Sequence, residues 1–151
     1  MAQSLSKIYI HLIFHIKNRL IPIGNDVKKE LFAYMGSIIK DNGSIPILIN
    51  GMHDHIHIFY IMSKNISLAK QVEEIKRHSS RWIKTKGGNY QRFSWQSGYA
   101  GFSVSQSLQE KTKHYIQNQE EHHKKLTFKE EFIAFLKEYR IEYNEQFLWT
   151  D

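Results

Sequence analysis

Residues 52–62 read MHDHIHIFYIM, and from His55 to Met62 polar and apolar side chains alternate. On a strand, side chains two apart share a face, so His55 and His57 point one way while Ile56 and Ile58 point the other, into a core. IPILIN at 45–50 gives a second strand. The link at Gly51 and Met52 is too short for a crossover, so the two strands pair antiparallel. IYIHLIFHI at 8–16 supplies another strand, earlier in the chain, with Ile8, Ile10, Leu12, Phe14 and Ile16 on one face and Tyr9, His11, Ile13 and His15 on the other.

Helices fill the spaces between these strands. After the turn-rich KNRLIPIGN at 17–25, Val27, Leu31, Tyr34, Met35 and Ile38 stand at helical spacing from Asp26 to about Lys40, with Asn25 or Asp26 as the cap. Asp41, Asn42, Gly43 and Ser44 form a stop signal. A second helix opens near Ser67, carries Leu68, Val72, Ile75 and Trp82, and ends near Gly87 and Gly88. The aromatic, Gly-punctuated segment that follows reads as a loop with a short strand around Tyr99 to Val104. From Ser105 or Ser107 to about Lys124 no Pro or Gly interrupts a third helix. Thr127 with Glu130 makes a capping box for a last helix bearing Phe128, Phe132, Phe135, Leu136 and Tyr139. The order β-α-β-β-α-β followed by helices predicts an α+β fold, a ferredoxin-like antiparallel sheet with a C-terminal addition, in one domain over 1–151.

Composition narrows the chemistry. The 151 residues carry a formal charge of +6 and no cysteine, with a pI near 9.4. A net positive field favours polyanions. Without thiols, a metal must be held by His, carboxylate or amide oxygen, and no disulfide can form. No apolar stretch is long enough to span a bilayer and no secretion signal is found, so a cytoplasmic location is expected.

Two local features could carry chemistry. His55-Ile56-His57 places two imidazoles where both reach one cation, although a His pair on a half-buried strand can equally be a polar face. In HYIQNQEEHH at 114–123, Tyr115 and Gln119 are four residues apart and share a helical face. That pair could be a nucleophile and an oxygen ligand, or a core-edge tyrosine and a solvated glutamine. His123 continues the same face as a spare ligand or proton carrier, and a solvated or phosphate-contacting role for it is also open.

Taken together, DHIHI at 54–58, WQSGY at 95–99 leading into FSVSQS, and YIQNQEEHH at 115–123 resemble the single-tyrosine HUH transposases of the smallest bacterial insertion sequences. The resemblance runs from the first strand and its KNR tail at 17–19 to the phenylalanine-rich last helix. It implies an HUH endonuclease fold and a DNA transposase that cleaves and rejoins single-stranded DNA at element ends. It also implies Tyr115 as the nucleophile that forms a 5′-phosphotyrosine, and His55, His57 and Gln119 as ligands of Mg²⁺ or Mn²⁺. A covalent intermediate keeps the bond energy, so no nucleotide cofactor is expected. The family is typically a homodimer that can exchange tyrosine helices, for which Gly98 and Gly101 are candidate hinges. A related HUH nuclease acting on palindromes or replication origins, and a non-catalytic ferredoxin-like nucleic-acid-binding module, are the alternatives.

Between Lys64 and Arg92 there are eight Lys or Arg against two acids, whereas 127–151 has six acids against three bases. Lys76, Arg77, Arg81, Lys84 and Lys86, with Lys17 and Arg19 near the first strand, are therefore the expected DNA contacts, to single strands carrying a hairpin. Tyr90, Phe93 and Trp95 are candidates for stacking on unpaired bases.

Overall fold

The alternation read from β1 (Ile8–His15) and β3 (His55–Met62) has both faces buried, because these strands lie at the centre of a four-stranded sheet ordered β2-β3-β1-β4. A computed structural model describes residues 2–17 and 21–149. All neighbouring strands run antiparallel: β2 (Ile45–Gly51) against β3, β3 against β1, and β1 against β4 (Ala100–Val104). The order is that of the ferredoxin-like split arrangement. Gly51 permits the tight turn into β3, since a Cβ there would collide with the His55 carbonyl.

One face is apolar throughout. Ile10, Leu12, Phe14, Ile56, Ile58 and Tyr60 pack under α1 (Asn25–Asp41) and α2 (Leu68–Lys84), which contribute Leu31, Met35, Ile39, Val72, Ile75 and Ile83. Phe93 and Trp95 close this layer. The Trp95 indole donates to Ser79 Oγ at 3.0 Å, so its one polar atom is satisfied inside the core.

The opposite face is mixed. It presents Tyr9, His11, Ile13, His15, His55, His57 and Phe59 to the C-terminal helices α3 (Gln109–Gln117), α4 (Gln119–His123) and α5 (Phe128–Glu138). Phe128, Phe132 and Leu136 of α5 join Ile13, Ala100 and Phe102 in one cluster, and Ile116 of α3 joins Tyr9, Phe59 and Val104 in another. The expected capping box at Thr127 and Glu130 starts α5. A short α6 (Glu145–Leu148) lies beyond.

Several expectations are corrected. α1 is preceded by Gly24 with no side-chain cap; Asp26 sits in the first turn, where its charge favours the helix dipole and it accepts from the Tyr90 hydroxyl at 3.3 Å. The long third helix breaks at Asn118. Asn118 Nδ2 donates back to the His114 carbonyl at 2.9 Å beside the backbone bond that Asn118 N makes to it, and Asn50 Nδ2 donates to the Ile116 carbonyl at 2.8 Å, so side chains compete with the helical ladder there. Gly101 is no hinge: it is paired within β4, and a Cβ would stand 2.9 Å from Leu68 Cδ2, so it serves close packing of α2.

Candidate active site and metal centre

β3 delivers His55 and His57 side by side on the mixed face, and α3 and α4 aim Tyr115, Gln119 and His123 at the same point. α5 contributes Glu131 from above. His55, His57 and Gln119 are fully buried and Glu131 is 1% exposed. The carboxylate is the hub. Its Oε1 lies 3.1 Å from His57 Nε2, 3.2 Å from His123 Nε2 and 3.4 Å from His55 Nε2. Its Oε2 accepts from the Tyr115 hydroxyl and, at 3.1 Å, from Gln119 Nε2. Gln119 Oε1 accepts in turn from His55 Nε2 at 3.0 Å.

A second layer orients the histidines. His55 Nδ1 donates to Asp54 Oδ1 at 2.7 Å, and His57 Nδ1 meets His11 Nε2 at 2.8 Å. Because His57 Nε2 faces a carboxylate it must donate there, which leaves Nδ1 to accept from His11. Carboxylate–imidazole pairs of the Asp54–His55 kind fix ring orientation and raise ligand basicity at metal sites. Burial pulls the His55 pKa down, but hydrogen bonds and charge from Asp54 and Glu131 more than offset it and leave it raised. Burial dominates at His57 and His11, and both are lowered. Burial also pushes Glu131 up, yet the hydrogen bonds from His123, His55 and His57 hold it far below the usual carboxylate range. The Tyr115 hydroxyl is raised, first by burial and then by the Glu131 charge.

These residues fit a divalent cation. His55, His57 and Glu131 offer three ligand atoms within 4.8 Å of one another, and the imidazole Nε2 atoms converge while each Nδ1 is held from behind. The Nε2 atoms that face Glu131 and Gln119 are the ones whose lone pairs a cation would take.

All four residues expected at the centre are brought together, and His123 joins them. His122 stacks on the Tyr115 ring with centroids 4.4 Å apart. Glu131, Asp54 and His11 were not singled out as site residues. His11 is readable in part, since strand parity places it on the His57 face; for Glu131 the one signal is the helix period that puts it on the stripe of Phe128, Phe132 and Leu136.

The basic residues are less well placed. α2 packs on the face of the sheet opposite the histidines, so its cations do not line the cluster. Lys76 is tied to the carbonyls of Gln96 at 2.7 Å and Gly98 at 2.6 Å, and holds that loop. Arg77 pairs with Glu74, Lys86 with Glu30, and Lys84 donates to Ser80. Arg81 and Lys17 are exposed, and Arg19 lies outside the described residues. Phe93 and Trp95 are 1% and 6% exposed and do not offer faces to bases, while Tyr90 is part-buried and its hydroxyl accepts from Gly24 N. Tyr99 is 38% exposed, with Lys76 Nζ 5.9 Å from its ring centroid. A groove of about 190 Å³ reaches Tyr115 between Lys111, Thr112, Phe135 and Tyr139.

Residues 4–119 match the family model described as transposase, IS200 like. No curated protein matches the chain in sequence. Among solved structures, the fold is similar to that of a candidate transposase from Deinococcus radiodurans R1, with a TM-score of 0.61 and 22% identity over 79% of this chain and 98% of that one. It is also similar to a REP-associated tyrosine transposase bound to a REP hairpin, with a TM-score of 0.57 and 11% identity over 82% of this chain and 74% of that one. His123, Glu131 and all of α5 lie beyond the matched segment.

Proposed function

The chain belongs to the IS200-like transposase family, and from that premise we propose that it acts as one catalytic domain that cuts and rejoins single-stranded DNA through Tyr115. The observation that carries this reading is the convergence of the Tyr115 hydroxyl, two strand-borne imidazoles and the Gln119 amide on one buried carboxylate. A binding module without chemistry would have no use for that convergence.

The Tyr115 oxygen attacks phosphorus, the bond to the 3′-oxygen breaks, and the departing oxygen takes up a proton to leave a free 3′-hydroxyl and a 5′-phosphotyrosine. Rejoining reverses these steps with a 3′-hydroxyl as nucleophile. The Tyr115 proton has an acceptor in place, because its hydroxyl already donates to Glu131. His55, His57 and Gln119 would hold a divalent cation, which when bound offsets charge developing on the phosphate. Asp54 and His11 keep the two rings aimed. Glu131 caps the cluster from α5, so a phosphate reaches Tyr115 from the side of the groove that the carboxylate leaves open.

The groove beside Lys111 is the route for the strand to Tyr115. A neighbour bound to a REP hairpin favours a hairpin beside the cleavage site. We place that hairpin on the outer surface of α2 at Arg77, Arg81 and Lys84, with the single strand passing round the sheet edge to the mixed face. A homodimer is part of the proposal. Tyr115 lies beside the histidines of its own chain here. Among the described residues no helix is long and apolar enough to cross a membrane, and a DNA substrate implies a cytoplasmic location.

The test is incubation of the chain with a labelled single-stranded hairpin oligonucleotide and Mn²⁺, followed by a denaturing gel. A covalent adduct is expected with wild type and none with Tyr115→Phe, while hairpin binding stays near wild type. An adduct that persists in the variant moves the nucleophile elsewhere.

A further inference from the structure

The cation site proposed above rests on two imidazoles and an amide. The structure supplies more nitrogen than that. His123, on α4 beyond the segment matched to the family, points Nε2 at the same Glu131 oxygen as His55 and His57, and its ring lies 4.7 Å from that of His55. A carboxylate oxygen has two lone pairs, yet three imidazole nitrogens crowd this one at 3.1 to 3.4 Å. His55, His57 and Glu131 already place ligand atoms within 4.8 Å of one another; His123 stands just outside them, 3.2 Å from the shared carboxylate oxygen, and a small inward turn of its ring would add a third nitrogen, whereas a simple ion pair between α4 and α5 would need only one.

We infer that His123 is a third imidazole ligand, and that His55, His57, His123 and Glu131 together select a first-row transition dication over Mg²⁺. This rests on the cation-site reading and goes beyond it. Mg²⁺ prefers oxygen ligands and keeps several of its waters. Here three imidazole nitrogens outnumber the Glu131 and Gln119 oxygens that meet them, and His55 and His57 are fully buried, which leaves little room for retained water. Imidazole suits Fe²⁺, Ni²⁺, Cu²⁺ and Zn²⁺, and affinity at such sites rises from Mn²⁺ through Co²⁺ to Cu²⁺ before falling at Zn²⁺. The four-residue spacing of Tyr115, Gln119 and His123 carries across the interruption at Asn118, so His123 meets the cluster while His122 stacks on Tyr115.

Metal-free full-length protein is titrated with Co²⁺, followed by its visible absorption, and with Mg²⁺, followed by calorimetry. Without cysteine in the chain, no thiolate band overlaps the cobalt spectrum. One Co²⁺ per chain is expected, bound at least about a hundredfold more tightly than Mg²⁺. His123→Ala should weaken Co²⁺ at least about tenfold and change the band shape. His123→Gln, whose amide can still donate to Glu131, guards against loss of fold and should show the same weakening. His78→Ala, on the far face of the sheet, should bind Co²⁺ as wild type does. Co²⁺ affinity unchanged in folded His123 variants, or Co²⁺ and Mg²⁺ affinities within threefold, overturns the inference and leaves the two-histidine site standing. Binding of neither cation removes the cation site itself, and this inference with it.

Discussion

Glu131→Gln isolates what the buried carboxylate does, because it keeps shape and removes charge. In the wild-type chain one carboxylate meets three imidazoles through Oε1 and accepts from Tyr115 and Gln119 through Oε2. Each charge-assisted hydrogen bond is worth about 1.5–3 kcal/mol. Their sum overstates the loss, since burying the carboxylate is itself costly and a glutamine retains part of the network. Removing one partner from a buried ionic cluster costs about 3–5 kcal/mol, and that is the expected destabilisation without metal. With a urea slope of about 2 kcal/mol per molar, the midpoint should fall by about 2 M. pH gives a second handle. Glu131 is depressed when folded, so its contribution is present above the ordinary carboxylate pKa near 4.3 and fades as pH falls through the lower folded value. His55 is raised when folded, so its contribution is present below about 6.5 and fades as pH rises through the folded value. Both operate between about pH 4.3 and 6.5. The gap between wild type and variant should therefore be widest near pH 5.5, measured by urea melts with chelator, and narrower at pH 9. A midpoint shift under about 0.3 M at pH 5.5 would show that the carboxylate is not the hub of the cluster.

Three further outcomes follow from particular contacts. His11→Ala and Asp54→Asn should each weaken Mn²⁺ binding roughly tenfold to a hundredfold by calorimetry, because they free the rings of His57 and His55 without removing a ligand; wild-type affinity in both would show that the orienting layer is idle. Replacing Arg77, Arg81 and Lys84 together by Ala should lower hairpin affinity and flatten its salt dependence while leaving Mn²⁺ binding intact, and normal hairpin binding by that variant would move the docking face away from α2. Thr127→Ala should cost about 1 kcal/mol in a thermal or urea melt, since it deletes the hydroxyl that accepts from Glu130 N at the start of α5.

What could be read from the sequence was whatever repeats with a short period. Alternation placed β1 and β3 and put His55 with His57 on one face. Ser67 and Thr127 announced the helices they cap. The errors came where distant residues decide a local outcome. Asn118 is an ordinary helix residue until Asn50, on a strand far away in sequence, takes the Ile116 carbonyl that the next turn of the helix would otherwise use. Trp95 and Phe93 look like free aromatic faces until Phe14 meets the Trp95 ring edge-on at 4.9 Å and both are enclosed. Charge counts carry no direction, so nothing in the run from Lys64 to Arg92 said that α2 would pack behind the sheet.

Glu131 shows the same limit from the other side. It lies one residue past the capping glutamate, in a segment whose acids outnumber its bases, and by composition alone it is one more solvated charge. Its role follows from the helix period. With Thr127 capping α5, Phe128, Glu131, Phe132 and Leu136 share the buried stripe, so packing Phe128 against the His55 ring and Phe132 and Leu136 over Ile13 and Phe102 forces Glu131 inward. A carboxylate driven into an apolar layer must find donors, and the mixed face of the sheet offers them at His55 and His57. The apolar residues of α5 thus position its one buried charge, and through that charge the helix reaches both the tyrosine and the histidines.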